Sequence, residues 1–160
     1  MRYDNGNADD LKQKFWRHFA DSPFVFVSLQ STANDGIVMT AQLDKDADSA
    51  IWFFTDRDGH LAQMGPATCT FAAKDHDLFA RFEGVLSEET SRERLDKQWN
   101  SFVEAWYPGG KDDPKLLMLR MDLGQAEIWD NDLGVMTTAK MALGMNVRGE
   151  TAGHHVETAL

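Results

Sequence analysis

The side chains able to do chemistry in this chain are few and scattered. Five histidines, at 18, 60, 76, 154 and 155, invite a metal ion, but no HExxH or comparable spacing sets two of them on one face, so no metal site is expected. His76 stands between two aspartates, and His154-His155 sits in a polar tail; both are settings of solvated histidine. Cys69 alternates with Phe71 and reads as a small buried apolar residue, with no basic neighbour in sequence to make it a thiolate. Asp112-Asp113 could pair as acid and base, yet consecutive residues point apart and Pro114 follows, which favours a turn. The catalytic residues are therefore unknown at this level. What stands out instead is aromatic: Trp99, Phe102 and Trp106 recur at helical spacing, and Trp106-Tyr107-Pro108 closes the run, where a ring can meet a flat ligand or a partner subunit.

Short elements must position these groups. Leu11, Phe15 and Phe19 recur every four residues and predict an amphipathic helix over 9–20, capped by Asp9 and Asp10 and stopped at Ser22-Pro23. Residues 24–32 read as a strand, Asn34-Asp35-Gly36 as a tight turn and 37–43 as the returning strand. Residues 50–55 form a further strand, 60–64 one or two helical turns ended by Gly65-Pro66, and 67–86 a second hairpin about Asp75-His76-Asp77. Leu95, Trp99, Phe102 and Trp106 then predict one helix with Thr90 and Glu93 as its capping box. Two last strands, LLMLRMD and AEIWD, meet near Leu123-Gly124; residues 135–145 suggest a peripheral helix, and the remainder a frayed tail. The whole chain, 1–160, reads as one domain with its core in residues 9–131. Six short strands without βαβ alternation predict a mainly β, antiparallel-rich barrel with flanking helices.

Charge and composition remove several function classes. With 16 Lys+Arg against 26 Asp+Glu the chain carries a net charge of -10 and has no basic run, which counts against nucleic acid and anionic membranes as partners. No apolar stretch approaches a membrane span or a signal peptide, so a cytoplasmic location is expected. A single cysteine excludes the disulfide-stapled class.

Four landmarks occur in a particular order: "FW" in the first helix, "WFFTDRD" at 52–58, "W…AWYPGGKDDP" at 99–114 and "AEIWD" at 126–130. Together they resemble the bacterial general stress protein branch of the pyridoxamine 5'-phosphate oxidase-like, FMN-binding split-barrel superfamily, across residues 9–131. That resemblance implies a six-stranded split barrel, a homodimer, and FMN held at the subunit interface. It also implies site residues. Thr40, Ala41 and Gln42 stand where the family has an Arg-Pro-Met-like motif; Phe54 and Thr55 lie along the flavin; His60 and Leu61 stand near the family's phosphate-holding lysine; Trp129 resembles the tryptophan that approaches the cofactor. Trp106 joins them as the helix-end ring. The family's arginine and lysine have no counterpart at Ala41 and Leu61, and Asp130-Asn131-Asp132 replaces the arginines of true pyridoxamine phosphate oxidases, so that reaction is not expected.

Between Thr40 and Gly65 stand two basic and five acidic residues. A flavin phosphate there needs Arg57, Lys74 or Arg81 to fold back, or the backbone amides around Gly59. A charge-assisted hydrogen bond to phosphate contributes about 1.5 to 3 kcal/mol, and the want of two such bonds predicts weak FMN binding. Two main readings follow. One is an FMN-dependent, oxidoreductase-like homodimer with Gln42, Thr55, Trp129 and Trp106 at its site. The other is a split barrel that has lost tight FMN binding and serves as a non-catalytic module for another flat ligand or for an interaction.

Overall fold

The computed structural model describes residues 3–32, 35–47, 49–131, 134–147 and 153–160. Helix α1 (Ala8–Asp21) forms where the apolar spacing predicts it, but its cap is Asn7, whose side chain accepts from the amides of Asp9 and Asp10. Those two aspartates sit in the first turn, where negative charge favours the helix N-terminus. Leu11, Phe15 and Phe19 are buried; Phe15 meets Phe71 and Phe82 edge-on at 5.8 and 5.5 Å.

The strands are β1 (Asp4–Asn5), β2 (Phe24–Leu29), β3 (Ile37–Thr40), β4 (Ala50–Asp56), β5 (Gly65–Ala72), β6 (Leu78–Glu88), β7 (Leu116–Asp130) and β8 (His154–Ala159). Both expected hairpins are present: β2 pairs antiparallel with β3, and β5 with β6. Asn34 of the first turn lies outside the described residues. Gly65-Pro66, expected to end the short helical segment, instead begins β5. The pairings β3-β2-β5-β6-β7-β4 run antiparallel throughout, and a bridge between Gln42 and Trp52 joins the end of β3 to β4. Those six strands make the expected barrel, which is mainly β and antiparallel. β8 and β1 bring the count of described strands to eight.

Two expectations are corrected along β7. The two short strands expected around Leu123-Gly124 are one continuous strand, paired with β6 along one edge. Its other edge changes partner: Leu116–Asp122 pairs with β4, and Gln125–Asp130 with β8. The Leu123-Gly124 step marks that exchange, and there the barrel is split. The frayed tail is corrected as well, since residues from His154 onward are β8, pinned further by β1 through Asp4 N donating to Gly153 O at 3.0 Å and Gly6 N to His155 O at 3.0 Å. The part of that tail at 148–152 lies outside the described residues, while the peripheral helix is present as α4 (Gly134–Ala142).

The long helix expected from residue 90 is two. Helix α2 (Arg92–Gln98) is capped by Ser91 rather than Thr90, and α3 (Ser101–Trp106) by Asn100. Asn100 Oδ1 accepts from Phe102 N and Val103 N at 3.0 and 3.1 Å. An asparagine offering that alternative to the helical ladder breaks the run. The aromatic stripe is split in consequence: Trp99 packs edge-on against Phe54 at 6.1 Å, whereas Phe102 and Trp106 are each 83% exposed.

Candidate functional site

β4 is buried on both faces. Ile51 and Phe53 enter the barrel interior, while Trp52 and Phe54 lie under Leu95 of α2 and, for Phe54, Val103 of α3. This places α3 beside the mouth of the seam where β3 meets β4. A cleft of about 440 Å³ opens there, lined by Thr40, Gln42, Phe54, Thr55, Trp106 and Tyr107, with Val38, Met39, Asp56, Phe102 and Val103 completing its wall. The volume is in the range of small-ligand sites.

Five of the ten residues nominated from sequence thus meet in one cleft: Thr40, Gln42, Phe54, Thr55 and Trp106. Gln42 is fixed twice, by its backbone pair with Trp52 and by its Oε1, which accepts from Asn100 Nδ2 at 3.3 Å. The other five lie elsewhere in the protomer. Ala41 and Leu61 are core residues, 3% and 0% exposed, so neither position faces the cleft. His60 Nε2 pairs with Thr32 Oγ1 at 3.1 Å. Arg57 binds Glu88 at 2.8 Å and lines a separate polar groove with Arg92 and Lys111. Trp129 stacks on His155, ring centroids 5.2 Å apart, on the part of β7 paired with β8.

The cations that could have folded back lie elsewhere as well. Arg81 binds Glu127 at 2.9 Å, and Lys74 lies 3.9 Å from Asp21. The amide of Gly59 donates to the carbonyl of Asp56 at 2.9 Å. Among the described residues no lysine or arginine lines the cleft, and Asp56 adds a negative charge to it.

Tyr107 is the cleft residue that sequence reasoning placed only as part of a helix-end cluster. It is 7% exposed; burial first, and then the adjacent Asp56 carboxylate, push its hydroxyl up to about 12. The hydroxyl therefore stays protonated at neutral pH, with its proton directed at Asp56. Cys69, fully buried in the core, is raised to about 12 by burial and is no nucleophile. Asp113 makes the turn expected of it, accepting from the amides of Gly109 and Lys115 at 3.0 and 2.9 Å.

A sequence model of the family described as "Pyridoxamine 5'-phosphate oxidase like" matches residues 10–153. The chain belongs to that family. Among solved structures, a provisionally named general stress protein 26 from Jannaschia sp. CCS1 is 27% identical with a TM-score of 0.77, covering 96% of this chain and 100% of that one. The general stress FMN/FAD binding protein of Xanthomonas citri is 38% identical over 80% of this chain and 94% of its own, with a TM-score of 0.72. A general stress family protein from Xanthomonas campestris pv. campestris is 40% identical over 77% and 90%, with a TM-score of 0.66. No curated protein matches. The split barrel expected from the four landmarks is thereby shown.

For a flavin the cleft fits in part. Phe54 and Trp106 offer apolar and stacking surface, and Thr40, Gln42, Thr55 and Tyr107 offer donors and acceptors to a flat heterocycle. A phosphate finds no side-chain cation among the described lining residues. Among the described residues, no helix is long and apolar enough to cross a membrane.

Proposed function

We propose that this chain is a flavin-binding split-barrel protein of the general stress type, acting as a homodimer, whose cleft recognises the ring system and takes little of its affinity from the phosphate. The observation that carries the reading is the cleft itself: an aromatic, hydroxyl- and amide-bearing wall at the β3-β4 seam with no cation among its described lining residues. The name of the Xanthomonas citri relative supports the ligand class.

The homodimer rests on apolar exposure. Phe26 and Val38 face each other across β2 and β3 and are 57% and 58% exposed, with Phe24 on the same face. Val38 continues into the cleft wall beside Phe102 and Trp106. Such a patch on a soluble chain marks an interface, and a second copy related by two-fold symmetry covers both faces at once.

When bound, the flavin would supply electron or hydride transfer, and the chain supplies binding and orientation. Gln42 is held for that role by its two attachments. Among the described cleft residues, Tyr107 and Asp56 carry the titratable groups. The Tyr107 hydroxyl, held protonated, is no general base at neutral pH, which favours an oxidoreductase whose chemistry resides in the cofactor.

Two measurements on the purified chain test this. Sedimentation at micromolar concentration should give about twice the 18.0 kDa protomer mass. Titration with flavin should quench ring fluorescence with a stoichiometry of one per protomer. A monomer that binds no flavin would favour the ligand-free interaction module instead.

A further inference from the structure

We propose that Glu127, His155 and Glu157 form a divalent metal site of the zinc class on the outer surface where β8 docks on β7. One ring nitrogen of His155 and one carboxylate oxygen of each glutamate lie within 4.8 Å of one another. Glu127 and Glu157 are directly opposed in the β7-β8 register, and His155 is opposed to Trp129, two residues along on the same face.

That arrangement is unfavourable without a cation. Like charges directly opposite across two strands repel, and Arg81 compensates only from the β6 side, through Glu127 Oε2. Glu157 has no ion pair among the described residues, and with Glu127 it lines a shallow hollow of about 160 Å³ that also holds Glu83 and Arg81. His155 Nε2 is buried with no hydrogen-bond partner, an orphan that costs free energy until something fills it. A divalent cation held by one imidazole nitrogen and the two carboxylates offsets the repulsion between the opposed glutamates.

The ring is also held for the purpose. His155 lies against Trp129 at 5.2 Å with 26° between the planes, which limits its rotation, and both strands are pinned by β1 and β6. Strand-borne ligands are positioned by the ladder rather than by a loop. An imidazole with two carboxylates suits borderline ions such as Zn²⁺ or Co²⁺ better than Mg²⁺ or Ca²⁺, which prefer all-oxygen shells. Three protein ligands leave further positions to water or an exogenous group. Two of the three lie beyond residue 153, where the family match ends, so the site is a property of this chain's terminal strand and stands apart from the flavin cleft.

The test uses the full chain stripped of metal with a chelator. Zn²⁺ titrated by calorimetry, and Co²⁺ followed by its visible absorbance, should each saturate at one ion per chain, with Zn²⁺ raising the melting temperature and Mg²⁺ leaving it unchanged. Glu157→Gln, an exposed substitution that leaves the core untouched, and His155→Asn should each weaken Zn²⁺ binding by more than about tenfold, since even the loss of a group that merely supports a metal ligand weakens binding by that much. His154→Asn, on the opposite face of β8, should leave it unchanged. Binding that survives Glu157→Gln and His155→Asn, binding lost in His154→Asn, or no saturable binding by the wild type would each overturn the proposal. Flavin affinity is measured in parallel, so failure here is distinguishable from failure of the cleft reading.

Discussion

Gln42 and Trp52 exchange both of their backbone hydrogen bonds, Gln42 N to Trp52 O at 2.8 Å and Trp52 N to Gln42 O at 3.0 Å, and this single bridge closes the barrel. β2 and β3, by contrast, share four residue pairs, and β4 and β7 seven. The seam is therefore the weakest joint of the six-stranded wall, and the cleft opens along it. Asn100 reinforces it from outside by bonding Gln42 Oε1 while capping α3.

Asn100→Ala should destabilise the protein by about 1 kcal/mol, the usual cost of losing an N-cap, and should loosen flavin binding together with it. Urea denaturation and a flavin titration read the two effects. An unchanged denaturation midpoint would mean that α3 needs no cap.

Trp106→Ala should behave oppositely. With its ring 83% exposed in the protomer, truncation should change folding stability by no more than about 0.5 kcal/mol, while dimerisation and flavin affinity both fall. Sedimentation at several concentrations separates these. A large stability loss with the dimer intact would show that the ring packs within its own subunit.

Asp44 gives a pH dependence. Its carboxyl is held well below the usual carboxylate value of 3.8 by Lys97 first, then by the amide of Asp46 and by Arg94. A depressed folded value contributes stability that is present above pH 3.8 and lost as the pH falls below it. Asp77, lowered by Lys14 against the opposing effect of burial, acts in the same direction. Asp44→Asn should be less stable than wild type at neutral pH and should lose less on acidification; parallel acid curves for the two proteins would contradict this.

Gly153→Ala should release the terminal strand. The residue has φ of +136°, and a Cβ there collides with the Asp130 carbonyl. Strain of about 1 to 3 kcal/mol at that point should speed hydrogen exchange at the β8 amides while the barrel amides stay protected. Equal exchange rates in both proteins would show that β8 does not depend on a glycine at 153.

The barrel was legible because period-two apolar runs and Asp-rich turns mark its hairpins, and because Phe15 and Phe19 mark the helix that packs on them. Two features were not. β8 reads HHVETA, half-exposed and polar, with Val156 as its main contact to the core; a strand of that kind is set by backbone pairing to β7 and β1 and leaves little pattern. The break at Asn100 was available as a capping signal, but the continuing Leu95-Trp99-Phe102-Trp106 spacing masked it. For the site, residue types were readable at Thr40, Gln42, Phe54, Thr55 and Trp106, whereas Ala41 and Leu61 fall on the inward side of their elements. Which way each residue of a short strand or turn points depends on register, and no single-chain pattern set the register there.

The most direct measurement compares the affinities of riboflavin and FMN for the same preparation at fixed, near-physiological ionic strength. A cleft that reads the ring and lacks a cationic phosphate holder should bind the two within about tenfold of each other, less than two charge-assisted hydrogen bonds at about 1.5 to 3 kcal/mol each would give. FMN binding more than about a hundredfold tighter than riboflavin would contradict the account and would require a phosphate-holding cation at the cleft.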